Sequence, residues 1–244
     1  MRSFADLTAI CAMARCAYQV TALGAVAELK QEVPDANFIC FVGKPSCQAA
    51  IFRWRGMLVV APRGTQFTEH TNISEIWDDL RGDPEEIPFV GSWHPGSADG
   101  LDLIIAGIRS FIGSDELLLT GHSLGASRAC QLPALLPRFV ATEVVAFEPF
   151  RCVDQKFRDT IYPYVKFRPL VVVNDDSFVP DWPLAHKSYV LPNDEFLWLN
   201  GKSADIASSR AAIGTSIADH SIDVIYNKFK DLKAAEQIFA PAKA

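Results

Sequence analysis

The fifteen residues Glu116–Cys130, ELLLTGHSLGASRAC, change hydrophobic period within a single turn of chain. Leu117, Leu118, Leu119 and Thr120 make a strand-type run, and the alanine-rich segment after Gly125 suits a helix. A strand that passes at once into a helix needs a sharp turn with small residues beside its apex, because strand and helix otherwise collide there. Gly121 and Gly125 are those residues, and Ser123 stands at the apex. Its hydroxyl has two readings. It can cap the helix that follows, or it can be a nucleophile above a sheet, with the backbone N–H of Leu124 beside it as an oxyanion donor.

The rest of the chain repeats the alternation. Strand candidates are FICFV (38–42), AIFRW (50–54), MLVVAP (57–62), LLLTG (117–121), VVAFE (144–148), LVVVN (170–174) and SYVL (188–191). Helical spacing appears in ADGLDLIIAGIRSFIG (98–113), LGASRACQLPALLP (124–137) and DHSIDVIYNKFKDLKAAEQIF (219–239), and the N-terminal twenty residues read as an amphipathic helix. This order predicts an α/β fold with a mostly parallel central sheet flanked by helices. Antiparallel strands are expected in the first sixty residues, where the connections are too short for helices. A functional crevice is then expected at the carboxyl ends of the strands.

At 244 residues the chain is expected to form one domain, residues 1–244. A net charge of −6 and the lack of any basic run argue against nucleic acid as a partner. No stretch approaches the roughly 20 apolar residues of a membrane span. With Asp6 and Arg15 interrupting the N-terminal apolar residues, no export signal is read, so the chain is expected in the cytoplasm as it stands, or secreted if a signal preceded it. The six cysteines form no C-x-x-C pair and no zinc spacing, which points to buried thiols and to no metal.

A serine hydroxyl is a weak nucleophile at neutral pH and needs a base, which in turn needs an orienting acid. In strand-turn-helix hydrolases the order is serine, acid, histidine, leaving His186 and His220 among the five histidines. His220, which follows a polar stretch and precedes a helix, is favoured over His186, which leads into a strand. Asn174-Asp175-Asp176 at the end of LVVVN supplies the acid. Successive residues there face opposite sides, so one of Asp175 and Asp176 faces the histidine.

These motifs, in their order over residues 35–232, resemble the class 3 lipases, the fungal-lipase-like branch of the α/β-hydrolases. VVAPRGT (59–65) is similar to the family segment whose residue after the glycine completes the oxyanion hole, here Thr65. WDDL (77–80), His94-Pro95-Gly96, TGHSLGA, VPDWP (179–183) and Asp219-His220 each resemble a family motif. The resemblance implies a serine carboxylic ester hydrolase with catalytic Ser123, Asp176 and His220, Asp175 as reserve acid, an oxyanion hole at Thr65 and Leu124, and no cofactor. The family places its acid three residues before the proline of V-P. A gapless match puts Ser177 there, so Asp176 requires a small local shift. Glu148 stands where the family commonly has glycine, and it either alters the pocket or points to solvent. The family's lid corresponds to residues 66–93, where Phe67, Ile73, Ile76, Trp77, Ile87 and Phe89 lie among seven acidic residues. An acidic flap disfavours anionic lipid surfaces. Neutral acylglycerols or soluble short to medium acyl esters are expected, with at most transient contact with a lipid surface and weak interfacial activation. The alternatives are a feruloyl or cutin-type esterase, a phospholipase, or an inactive hydrolase-fold module that binds lipid or a partner.

Overall fold

The computed structural model describes residues 2–65, 83–138, 140–182, 188–209 and 214–239. Its elements in chain order begin with helices α1 (Phe4–Cys16) and α2 (Ala22–Glu32) and strands β1 (Ala36–Lys44), β2 (Cys47–Trp54) and β3 (Met57–Pro62). The middle of the chain supplies β4 (Glu85–Ile87), β5 (Gly91–Trp93), the short α3 (Pro95–Ala98), α4 (Leu101–Phe111), β6 (Glu116–His122), α5 (Leu124–Gln131) and β7 (Thr142–Phe147). The last third holds β8 (Val153–Asp154), α6 (Gln155–Ile161), β9 (Leu170–Asn174), β10 (Tyr189–Val190), β11 (Phe196–Asn200), β12 (Ser203–Ala207) and α7 (Ile222–Phe239).

Eight strands form the main sheet in the order β1-β2-β3-β6-β7-β9-β11-β12. The five from β3 to β11 are parallel, and both edges are antiparallel. The short connections in the first sixty residues do form antiparallel hairpins, and the later strand-helix alternation forms the parallel part. Residues of SYVL belong to β10, in a separate sheet of order β10-β8-β5-β4.

Side-chain alternation divides the core between the two faces of the sheet. Val59 and Ala61 of β3, Leu118 of β6 and Val145 of β7 pack with α1 and α7, while Leu58, Val60, Leu119 and Val144 pack with α4 and α5. Helix α4 buries Leu101, Ile104, Ile105 and Ile108, an i, i+3, i+4, i+7 stripe. Each such side chain contributes on the order of 2 kcal/mol by leaving water. At the N-terminus there are two helices where one was expected. Thr21 accepts the Gly24 N–H at 3.1 Å and so starts α2, as Ser3 starts α1 by accepting from Asp6 at 3.1 Å. Among the described residues no helix is long and apolar enough to cross a membrane. All six cysteines are unpaired, and five of them are buried.

Candidate active site

Strand β6 turns into α5 at Ser123, whose φ of +59° and ψ of −128° are strained for a residue with a side chain. The glycines make this turn feasible. A Cβ on Gly121 would lie 2.6 Å from the Gly125 carbonyl, and one on Gly125 would lie 2.1 Å from the Pro62 carbonyl oxygen. The second contact shows that Gly125 serves the neighbouring loop as much as the turn, since it lets the end of β3 and residues 63–65 approach the start of α5. Ser123 occupies the N-cap position of α5 without capping it through its side chain. Its Oγ lies 2.8 Å from His220 Nε2 instead.

His220 closes a short 3-10 turn, Ala218–His220, just before α7, and is 2 % exposed. Burial holds its imidazole well below the ordinary range, at about 3. It is therefore neutral at pH 7, with Nε2 facing the Ser123 hydroxyl. With Nε2 accepting, Nδ1 carries the hydrogen. Two groups face Nδ1, Glu148 Oε2 at 3.4 Å and Ser177 Oγ at 3.4 Å. Glu148 follows β7, is fully buried and has a φ of +55°. Its backbone N–H donates to the Val172 carbonyl at 2.8 Å, and its Oε1 accepts from the Asn174 N–H. Its carboxyl group thus lies between the Asn174 N–H and the His220 ring.

The geometry corrects the expectation for the acid. The Asp176 side chain is exposed, and its Oδ2 accepts from the Thr215 hydroxyl at 2.7 Å. The reserve residue Asp175 accepts from the Gly201 N–H at 2.6 Å and pairs with Lys228. No local shift occurs: Ser177 N–H bonds to the Asn174 carbonyl at 3.0 Å, and the Ser216 N–H holds the Asp176 carbonyl at 2.8 Å. This turn points Ser177 inward and Asp176 outward. Glu148, read from the sequence only as an unusual residue that alters the pocket or faces solvent, is the carboxylate beside the histidine. The available signal was a charged residue at the end of an otherwise apolar strand, at a position where glycine's freedom at positive φ is the norm.

Thr65 lines a cleft of about 560 Å³ that also borders Tyr18, His122, Ile217 and His220. Leu124 is the first residue of α5, so its N–H is among those lacking a partner one turn earlier in the helix. His94, from the His94-Pro95-Gly96 motif, is buried away from this group; its carbonyl accepts from Ser97 at 3.0 Å and from Gln131 at 3.2 Å. The other histidine candidate, His186, lies outside the described residues, as do residues 66–82 of the expected lid, WDDL among them, and Pro183 of VPDWP. Among the described residues no cluster of His, Cys, Asp and Glu is arranged to hold a metal.

Burial of two histidines here has a consequence for acid stability. His122 is likewise held well below its usual value, first by burial and then by His220. Unfolding exposes both to water, where they titrate near 6.5, so the unfolded chain binds more protons as pH falls below that value. Stability is therefore complete above about pH 7 and declines on acidification from about 6.5 towards 3. Each histidine contributes up to about 1.4 kcal/mol per pH unit in that window. Urea unfolding at a series of pH values measures the slope, and a midpoint unchanged from pH 7 to 4.5 would refute buried neutral imidazoles.

A strained serine at a strand-to-helix apex, in contact with a buried neutral histidine that is backed by a carboxylate, on a parallel sheet with helices on both faces, defines an α/β-hydrolase of the serine carboxylic ester hydrolase class. The family model for class 3 lipases matches residues 59–187, more than half of the chain. This chain belongs to the class 3 lipase family. Among solved structures it is similar to a lipase from Rhizopus microsporus var. chinensis, at 18 % identity and a TM-score of 0.72, over 89 % of this chain and 85 % of that one. The Rhizomucor miehei triacylglyceride lipase matches at 20 % identity and TM-score 0.71, over 88 % and 91 %. Lipase II from Rhizopus niveus matches at 16 % and 0.71, over 89 % and 92 %. No curated protein matches the sequence.

Proposed function

We propose that this protein hydrolyses neutral acylglycerols or soluble short to medium acyl esters through an acyl-enzyme on Ser123. The observation that carries the reading is the 2.8 Å contact between Ser123 Oγ and His220 Nε2 at a turn that leaves the serine unused as a cap. His220 accepts the serine proton as Oγ attacks the ester carbonyl, then returns it to the departing alcohol. Water resolves the acyl-enzyme by the same route. Glu148 fixes the Nδ1–H tautomer and stabilises the imidazolium once it forms. The oxyanion is held by the backbone N–H groups of Leu124 and Thr65, each worth about 3 kcal/mol in the transition state.

Two features support a neutral substrate. Among the described residues the charged groups that line the cleft pair with one another, with Arg15 bound to Glu28 at 3.3 Å and to Asp223 at 2.9 Å, which does not favour an anionic headgroup. The acidic composition of residues 66–93 further disfavours an anionic membrane, which supports weak interfacial activation and at most passing contact with lipid surfaces. The six unpaired thiols suit a reducing compartment. Hydrolysis of a p-nitrophenyl ester series from acetate to palmitate, with a fluorophosphonate probe run in parallel, tests the reading. Turnover highest at short to medium chains and covalent labelling of Ser123 are expected. A sharp rise above the solubility limit of the substrate would remove the weak-lid part. Absence of both turnover and labelling would leave a non-catalytic binding module.

A further inference from the structure

The N-terminal helix pair lies outside the matched family segment, yet it reaches the reacting groups through one side chain. Tyr18 follows α1, where its backbone N–H bonds to the Arg15 carbonyl at 2.9 Å. Its hydroxyl lies 2.9 Å from His122 Nδ1 and 3.4 Å from the His122 carbonyl, and the Gly64 backbone bonds to it as well. A Cβ on Gly64 would come within 2.2 Å of that hydroxyl, so the approach depends on the glycine next to Thr65.

Beyond Tyr18 the contacts continue to the base. His122 Nε2 lies 2.6 Å from the His220 carbonyl oxygen. A carbonyl only accepts, so Nε2 carries the hydrogen, and in a neutral ring Nδ1 is then an acceptor. Tyr18 must therefore donate. The result is a directed chain in which Tyr18 O–H donates to His122 Nδ1 and His122 Nε2–H donates to the His220 carbonyl. The two imidazoles also lie against each other, with centroids 4.6 Å apart at 33°. Every link is a hydrogen bond to a buried group, where a lost partner leaves an unsatisfied atom and the backbone moves to relieve it.

We propose that Tyr18 and His122 are positioning residues for ester hydrolysis: through one hydrogen-bonded chain they hold the oxyanion loop at Gly64, the serine turn at His122 and the backbone of His220 in mutual register. Neither touches the reacting atoms. The inference rests on the hydrolase reading and deepens it, because it gives the N-terminal helices a part in the chemistry.

A purely structural role would lower the unfolding midpoint and leave the kinetics of folded protein alone, whereas a positioning role lowers kcat at constant KM, since a misplaced base or oxyanion donor weakens only the transition state. The expected results are about a tenfold fall in kcat for Tyr18→Phe and a larger fall for His122→Leu, both with KM unchanged. His122→Gln, whose amide N–H reaches the His220 carbonyl in place of Nε2, recovers most of the loss. The rate of fluorophosphonate labelling of Ser123 in the full chain, measured on protein shown to be folded by its thermal transition, falls in parallel. Wild-type kcat and labelling rate in both Tyr18→Phe and His122→Leu would overturn the proposal, as would a change confined to KM or no difference between His122→Gln and His122→Leu. A wild type that neither turns over nor labels overturns the hydrolase reading itself, so the two failures are distinct.

Discussion

Replacing Ser123 by alanine lowers kcat for p-nitrophenyl ester hydrolysis by about 10⁶-fold and abolishes fluorophosphonate labelling, with the thermal unfolding midpoint within a few degrees of the wild type. The stability part follows from geometry. Ser123 makes no capping bond through its side chain, so α5 loses nothing when the hydroxyl goes. The positive φ strains alanine as it strains serine, and the difference between the two variants is then purely chemical. His220→Ala has a comparable effect, and the double variant is no worse than either single one, because nucleophile and base act as one unit. A helix-capping serine would give the opposite pattern, with activity retained and the midpoint lowered by the loss of about 1 kcal/mol.

The second large effect concerns the acid. Glu148→Gln lowers kcat by roughly 10³ to 10⁴, because the amide can donate to Nδ1 and so favour the tautomer whose Nε2 carries the hydrogen and cannot accept the serine proton. Asp176→Ala stays within about threefold of wild type, since that carboxylate is exposed and accepts from the exposed Thr215 hydroxyl. The stronger test is transfer. Glu148 and Ser177 approach His220 Nδ1 to the same 3.4 Å from the ends of two neighbouring strands, β7 and β9. Glycine at 148 relieves the positive φ, and aspartate at 177 restores a carboxylate. Glu148→Gly combined with Ser177→Asp therefore regains at least about tenfold in kcat over Glu148→Gly alone. Collapse of activity in Asp176→Ala, with Glu148→Gln still active, would return the role to the aspartate.

How far the site is legible in the sequence differs from residue to residue. The Ser123 turn is legible because its requirements are local: an apolar run, a helix-forming run, and glycines where a Cβ would strike 2.6 Å or less from backbone. His220 is legible through chain order and its place before a helix. The strands of the parallel core are legible because they are buried on both sides and read as continuous apolar runs. FLWLN and SADIA, which became β11 and β12, are less so, for β12 is an exposed edge whose alternation carries little apolar signal.

The carboxylate beside His220 was not legible, and the reason is tertiary. In NDDSFVP the choice between Asp175, Asp176 and Ser177 depends on which way one turn faces, and that is set by contacts distant in sequence, with Lys228, Thr215 and Ser216. Glu148 could not be ranked by sequence alone, because a charged residue at a strand end is equally compatible with solvent. Its burial against His220, seventy-two residues away, exists only once β7 and β9 lie side by side. The sequence by itself determined the strand-turn-helix hydrolase frame and singled out Ser123 and His220, since short-range sterics and hydrophobic period dictate them. Which carboxylate lies beside His220, and that Tyr18 reaches His122 from the far end of the chain, were decided by tertiary packing, because only the assembled sheet sets the distances between side chains that the chain keeps far apart.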